Sequence, residues 1–145
     1  MDILSNFAES ISDQIFDQKL TLEQFADKVG INVSEIYRYK RKERLPSTAN
    51  LIKIANVCNC SIDALLGLAP YNENANYRSD KTFCEVFRNI LFQHNVTRYK
   101  LCQETKLAPS RVDDWYNGKR LPTVDNLIIL KNYFNCSIDF LLGRE

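Results

Sequence analysis

The sequence predicts an all-α protein made of two tandem five-helix domains. Three observations support this fold class. The 145-residue chain repeats itself at an offset of 76 residues. Its apolar residues recur every three or four positions, behind residues that commonly cap helices. No run of alternating apolar and polar residues is long enough for a β-strand.

The internal repeat defines the domain organisation. Residues 61–67 read Ser-Ile-Asp-Ala-Leu-Leu-Gly, and residues 137–143 repeat this segment with a single change, Ala to Phe. Between 44 and 67, 15 of 24 positions are identical to those 76 residues later. Each copy of about 65 residues is long enough for a small domain. We therefore expect domains at 1–67 and 80–145, joined by a linker at 68–79 whose Pro and Asn content is typical of such segments.

The first two helices of repeat 1 follow from apolar spacing and from capping residues. Phe7, Ile11, Ile15 and Phe16 stand at i, i+4, i+8 and i+9, which indicates an amphipathic helix. A second helix begins with a capping box in which Thr21 is the N-cap and Gln24 lies three residues on. Gly30 is expected to end that helix.

Three further helices complete the copy. Asn32 and Glu35 predict a second capping box, and the third helix would turn Ile36 and Tyr39 inward. A fourth helix opens after Pro46-Ser47, and a fifth lies between the cap Ser61 and Gly67. Repeat 2 should follow the same order. Aromatic residues at helical spacing are expected in the two cores, with Trp115 in the place of Tyr39: Phe7, Phe16, Phe25, Phe83, Phe87, Phe92, Tyr133, Phe134 and Trp115.

Composition restricts the class of function. The net charge is only +1, and no apolar run approaches the roughly 20 residues of a membrane span. The first residues lack the pattern of a signal peptide, so we expect a cytoplasmic protein with no membrane association. Five cysteines, of which only Cys58 and Cys60 are close in sequence, predict reduced thiols rather than a metal site. A single histidine, His94, without a nucleophile motif or a phosphate-binding loop predicts neither an enzyme nor a bound cofactor.

The motifs of the second and third helices resemble a known family. Repeat 1 contains Thr21-x-x-x-Phe25-Ala26-x-x-Val29-Gly30-Ile31, followed by Ile36-x-x-Tyr39 and by Arg44-x-Pro46-Ser47. Repeat 2 contains Asp114-Trp115-Tyr116-Asn117-Gly118-Lys119-Arg120-Leu121-Pro122-Thr123. Both are similar to the helix-turn-helix of the Cro/phage-repressor (XRE) family. The resemblance implies two tandem helix-turn-helix domains of the phage-repressor type, which bind double-stranded DNA.

The resemblance places the third helix, about 33–41, in the DNA major groove. Spacings of four residues put Val33, Ser34, Tyr37, Arg38 and Arg41 on one outward face. Arg38 could grip guanine O6 and N7, Ser34 could bond a base edge or a phosphate, and Val33 could meet a thymine methyl. Tyr37 could reach a phosphate through its hydroxyl group.

A basic cluster follows this helix and supports the same interpretation. Residues 38–44 contain five basic side chains and one acidic side chain, a local charge of +4. Lys40, Arg41, Lys42 and Arg44 are therefore expected to run along the phosphate backbone.

Repeat 2 differs on the equivalent face, which would carry Pro109, Ser110, Asp113, Asp114 and Asn117. The two carboxylates would repel a polyanion, although aspartate can also accept a hydrogen bond from cytosine N4. Gly118 should form a tighter turn than Lys42, its counterpart in repeat 1. We expect repeat 1 to be the main reader of DNA. The candidate contacts of repeat 2 are Arg98, Ser110, Arg111, Asn117, Lys119 and Arg120.

Two functions remain open on these observations. The first is a sequence-specific transcriptional repressor or regulator that binds as a homodimer or as an intramolecular pseudo-dimer. A linker of about 11 residues spans at most about 36–40 Å, enough for major grooves about 34–36 Å apart on one face of DNA. The second is a protein–protein interaction module, in which repeat 2 mediates dimerisation or holds a partner such as a toxin or antirepressor.

Overall fold

The computed structural model describes residues 2–72, 77 and 80–145. The packing of the chain divides it into two compact units, residues 1–77 (unit 1) and 78–145 (unit 2). Within the described residues there are ten helices and no strand, which confirms the predicted fold class. Unit 1 contains α1 (Ile3–Asp17), α2 (Leu22–Val29), α3 (Val33–Lys40), α4 (Thr48–Cys58) and α5 (Ile62–Leu65). Unit 2 contains α6 (Phe83–Gln93), α7 (Arg98–Thr105), α8 (Pro109–Tyr116), α9 (Val124–Phe134) and α10 (Ile138–Leu141).

The capping residues act as predicted at one helix and differently at another. The capping box of α2 is present, since Thr21 Oγ1 accepts from the amide of Gln24 and Gln24 Oε1 accepts from the amide of Thr21. At α3, Asn32 is the N-cap as predicted, and its Oδ1 accepts from the amide of Ser34 at 2.9 Å, but Glu35 does not complete the predicted capping box. The carboxylate of Glu35 instead forms ion pairs with two arginines, because a guanidinium carries a full positive charge and attracts it more strongly than a backbone N–H does.

In each unit, the core packs around one aromatic side chain of the third helix, which is α3 in unit 1 and α8 in unit 2. In unit 1, Tyr39 is 1% exposed and lies edge-on to Phe7, with 5.6 Å between the ring centroids. Burial raises the pKa of Tyr39, and its neutral hydroxyl accepts a hydrogen bond from Asn50 Nδ2 at 3.2 Å. In unit 2, Trp115 is equally buried and lies edge-on to Phe83 and Phe87. The inward orientation predicted for Trp115 is confirmed.

Three of the aromatic residues expected in the cores are not there. Phe16 and Phe92, which occupy the same position in the two repeats, are 82% and 85% exposed. Each follows a buried aliphatic residue directly and is rotated by about 100° from it on the helix, so its side chain leaves the core face. Tyr133 is half-buried, and its hydroxyl donates to Glu104 Oε1 at 2.9 Å.

The turns after α3 and α8 have the same conformation, contrary to the expectation of a looser turn in unit 1. Lys42 has φ 62° and Gly118 has φ 74°. Their amides donate to the carbonyls of Tyr39 and Trp115 at 3.1 and 3.3 Å. Unit 1 therefore adopts a left-handed backbone conformation without the glycine that favours it.

Helix length and composition bear on membrane association. Across residues 2–72, 77 and 80–145, no helix combines the length and the apolar character needed to cross a bilayer.

Candidate nucleic-acid interface

The turn between α2 and α3 determines which face of α3 points outward. Gly30 ends α2 in the left-handed conformation, φ 72°, and its amide donates to the carbonyl of Ala26 at 2.9 Å. After this short turn, α3 buries Ile36 and Tyr39 against the core. Because these two residues occupy one side of a two-turn helix, the opposite side is left to solvent.

The outward face of α3 brings together most of the residues predicted for unit 1. Ser34, Tyr37, Arg38 and Arg41 are exposed, whereas Val33 is half-buried. Lys40 departs from this group, since it is half-buried beside the core residue Tyr39. The structure thus presents two guanidinium groups, two hydroxyl groups and one aliphatic side chain at the α3 surface.

Glu35 controls the resting positions of two arginines and was not predicted as a functional residue. Its carboxylate forms an ion pair with Arg38 Nη1 at 3.5 Å and a closer one with Arg44 Nη2. The side chain of Glu35 is 24% exposed, compared with 47% for Arg38. The i, i+3 spacing of Glu35 and Arg38 was the sequence signal that could have indicated this pair. The arrangement holds both guanidinium groups at the surface.

The remaining polar side chains of this face also have partners. The hydroxyl of Ser34 donates to Asn32 Oδ1 at 2.9 Å, which ties it to the helix cap. Arg41 lies 6.0 Å from the centre of the Tyr37 ring and 3.6 Å from Glu43 Oε1. Tyr37 Oη donates to Glu23 Oε1 at 3.4 Å. These contacts are solvent-exposed and individually weak, so phosphate oxygens can replace them.

Unit 2 presents the equivalent surface on α8. Lys106 ends α7 at φ 63°, and Pro109 occupies the first position of α8, where its missing N–H costs nothing. Asp114 is half-buried. The exposed residues predicted for this surface are Ser110, Arg111, Asp113, Asn117, Lys119 and Arg120.

Both carboxylates on α8 have arginine partners. Arg98 Nη1 donates to Asp113 Oδ1 at 3.1 Å, and Arg120 Nε lies 3.5 Å from Asp114 Oδ2. The repulsion that these acids were expected to exert on a polyanion is therefore partly offset within unit 2. Both pairs are solvent-exposed, so a phosphate oxygen can compete with the carboxylate for either arginine.

Arg98 belongs to a stacked arrangement that sequence reasoning missed. Its guanidinium lies 4.1 Å from the centre of the Tyr116 ring, and that of Arg88 lies 4.8 Å from the same centre. Arg88 Nε also donates to the carbonyl of Tyr116 at 2.7 Å. In repeat 1 the positions of Arg88, Arg98 and Tyr116 hold Ser12, Leu22 and Lys40, so this stack is a feature of unit 2.

In the part of the chain that the structure describes, no cluster of three or more His, Cys, Asp or Glu side chains is arranged to hold a metal ion.

Comparison with known proteins identifies the fold family. A family model described as helix-turn-helix matches residues 17–65 and 88–141, one match in each unit. The transcriptional repressor RstR of the cryptic phage CTXphi, from Vibrio cholerae, is 41% identical over 54 residues, which are 37% of this chain and 48% of RstR. An uncharacterized HTH-type transcriptional regulator of Haemophilus influenzae is 40% identical over 60 residues, which are 41% of this chain and 25% of that protein.

The two relatives match over only part of their length, whereas the two family-model matches cover most of this chain. The chain spans about half and a quarter of the lengths of these two relatives. No solved structure matches the chain. The two family matches together cover well over half of the 145 residues, and both coincide with a helix–turn–helix in the structure. The chain therefore belongs to the helix-turn-helix family of the Cro/phage-repressor (XRE) type.

Proposed function

We propose that this protein binds double-stranded DNA sequence-specifically and regulates transcription, most simply as a repressor. The observation that carries the proposal is the outward face of α3, where exposed Arg38 and Arg41 belong to the basic cluster of residues 38–44. A helix of this width enters the major groove, where an arginine that bonds guanine O6 and N7 contributes about 1–3 kcal/mol of discrimination. One relative, RstR, is itself a transcriptional repressor.

Unit 1 supplies the main reading surface in this proposal. Arg38 reads guanine, while Val33 and Ser34 contact bases or the adjacent backbone in the first turn of α3. Tyr37 reaches a phosphate through its hydroxyl group. The phosphate contacts come from Lys40, Arg41, Lys42 and Arg44, which lie at the end of α3 and in the following loop.

Unit 2 supplies a second and different surface. Ser110 and Asn117 are neutral hydrogen-bonding side chains on its α8 face, with Arg111 exposed beside them. Arg98, Lys119 and Arg120 contribute positive charge. Because the two faces differ at nearly every outward position, one chain acting as a pseudo-dimer would recognise two unlike half-sites. Two chains that each present unit 1 would instead recognise a palindrome.

Selection from a random duplex library, using the full chain at about physiological salt, tests this proposal. Two unlike half-sites about one helical turn apart would support the pseudo-dimer, and a palindrome would support a homodimer. A single half-site would leave unit 2 in an accessory role. The Arg38→Ala variant is the matched control, since it should lose enrichment at one position. Absence of any enriched sequence would overturn sequence-specific binding.

A protein-interaction role for unit 2 is the alternative. It is favoured by Asp113 and Asp114, because α8 carries two acids where α3 carries Tyr37 and Arg38. In that case, unit 2 would pair chains or hold another protein, and substitutions on α8 would leave DNA affinity unchanged. The DNA affinity of variants substituted at Ser110 and Asn117 distinguishes the two roles: a reduced affinity supports DNA contact by unit 2, and an unchanged affinity supports the protein-interaction role.

A further inference from the structure

Two cysteines of unit 1 lie side by side at the end of α4. Cys58 is the last residue of the helix, and Asn59 is its C-cap in the left-handed conformation, with φ 49° and ψ 53°. These dihedral angles have helical magnitudes, so the Cα atoms of Cys58 and Cys60 are about 5.4 Å apart by helical geometry. A disulfide needs about 4.4–6.8 Å between Cα atoms. The two thiol groups are also joined by a hydrogen bond.

The surroundings of Cys58 favour its thiolate form. Gln18 Nε2 donates to Cys58 Sγ at 3.4 Å, and Gln18 Oε1 accepts from Lys28 Nζ at 2.7 Å. The hydrogen bond from Cys60 is the main cause that lowers the pKa of Cys58 below its usual value. Partial burial opposes this effect, while Gln18 and the positive charge of Lys28 reinforce it. A thiolate is the form that reacts with an oxidant.

Access to the pair is through a cavity of about 400 Å³. Asp13 and Asp17 line this cavity together with both cysteines and Tyr71. Burial raises the pKa of Tyr71, so its hydroxyl is neutral at physiological pH. The two acids disfavour an anionic oxidant such as glutathione disulfide and admit a small neutral one. Cys58 is half-buried and Cys60 is 7% exposed, so Cys58 is the residue that an oxidant meets first.

We propose that Cys58 and Cys60 form a redox-active dithiol that hydrogen peroxide converts to an intramolecular disulfide. In the first step the Cys58 thiolate attacks a peroxide oxygen. An S–O bond forms, the O–O bond breaks, and the departing hydroxide takes up a proton to become water. In the second step Cys60 attacks the sulfenic sulfur of Cys58. The S–S bond forms, the S–O bond breaks, and hydroxide leaves with the Cys60 proton as a second water.

The repeat supplies an internal comparison for this site. Phe134 stands at the position of Cys58 in unit 2, and Cys136 stands at that of Cys60. The dithiol is therefore confined to unit 1. A disulfide between residues only two apart closes a small, strained ring, and strained disulfides have the higher reduction potentials of labile bonds. The chemistry fits a reversible modification rather than a structural crosslink.

Thiol titration of the full chain with hydrogen peroxide tests the proposal. All five cysteines are thiols, so we expect the titratable number to fall from five to three and to return to five with dithiothreitol. The peptide containing residues 58–60 should lose the mass of two hydrogen atoms. Cys58→Ser and Cys60→Ser should each abolish this loss, whereas the matched control Cys136→Ser should retain it.

The kinetics provide a second readout on folded protein. Lys28→Gln should slow oxidation several-fold because it removes the charge that favours the thiolate, while Lys53→Gln on α4 should not. The proposal is overturned by a loss spread evenly over the five thiols, by disulfide-linked dimers in place of the intramolecular bond, or by equal rates in the Lys28→Gln and Lys53→Gln variants.

Discussion

Arg98, the first residue of α7, and Asp113, on the outward face of α8, are joined by an ion pair of 3.1 Å. The pair couples the two helices of the unit 2 motif at the surface that would meet DNA. It offsets the negative charge of Asp113, and it orients Arg98 over the ring of Tyr116. Both side chains are about half exposed, so the pair contributes about 0–1 kcal/mol to stability and can be exchanged for contacts to phosphate.

Removal of the acid in this pair should strengthen DNA binding. Asp113→Asn deletes one negative charge and leaves Arg98 available to a phosphate, so we expect a several-fold increase in affinity at low salt that diminishes as salt is raised. Fluorescence anisotropy over a range of salt concentrations measures the DNA affinity of the variant and of the wild type. Asp80→Asn, an exposed change before α6, is the control. Equal affinities of the Asp113→Asn variant and the wild type would mean that α8 does not approach DNA.

Arg38→Ala should reduce discrimination more than overall affinity. Loss of a bidentate contact to guanine costs about 1–3 kcal/mol at the base pair concerned and little on unrelated DNA. Competition binding with single-base variants of the selected site measures the effect. Arg41→Ala, on the same face, serves as the comparison because it is expected to weaken all sequences. An unchanged base preference in the Arg38→Ala variant would show that Arg38 does not contact a base.

Substitution of Lys40, Arg41 and Lys42 together by glutamine should weaken binding to all duplexes about equally. Each lost phosphate contact should lower the magnitude of the slope of log affinity against log salt by about 0.9. Lys53→Gln, a charge change on α4, should leave the slope as it is. A slope unaffected by the triple substitution would show that the basic cluster lies away from the phosphate backbone.

Both left-handed turn positions should be more stable with glycine than with alanine. Lys42→Gly relieves the positive φ of a non-glycine residue and should stabilise unit 1 by about 1 kcal/mol relative to Lys42→Ala, which keeps the strain. Gly118→Ala should destabilise unit 2 by a similar amount, because it puts a side chain on a backbone with φ 74°. The added methyl itself meets only Cys84, at ordinary contact distance. Urea denaturation of the full chain measures both changes. Stabilisation by Gly118→Ala would contradict the turn geometry.

The buried ion pair near the end of the chain should be essential to unit 2. Arg144 and Asp139 are 0% and 1% exposed, and the guanidinium contacts the carboxylate directly. Arg144→Met removes the guanidinium from its contact with a buried carboxylate, and breaking a buried ion pair costs about 3–5 kcal/mol. Adding Asp139→Asn to that variant should recover part of this loss. Thermal unfolding by circular dichroism measures both, and a double variant less stable than Arg144→Met would contradict the explanation.

Local rules predicted most of the fold. The offset of 76 residues revealed two copies of one unit, and apolar spacing with capping residues located the helices of each. The same rules placed Arg38 outward and Tyr39 inward, because successive residues of an α-helix are rotated by about 100° about its axis whatever the helix packs against. They misjudged Phe16 and Phe92, since spacing alone does not show where a helix passes the edge of the core.

The sequence by itself determined the repeat, the helices, the family and the outward face of α3. Only the tertiary structure decided which charges on these faces are neutralised. Glu35 reaches Arg44 across nine positions, and Arg98 reaches Asp113 across fifteen. The first pair depends on the path of the loop after α3, and the second depends on the angle at which α7 and α8 cross. That angle is set by the packing of the buried side chains beneath the surface rather than by any local pattern of the charged residues themselves.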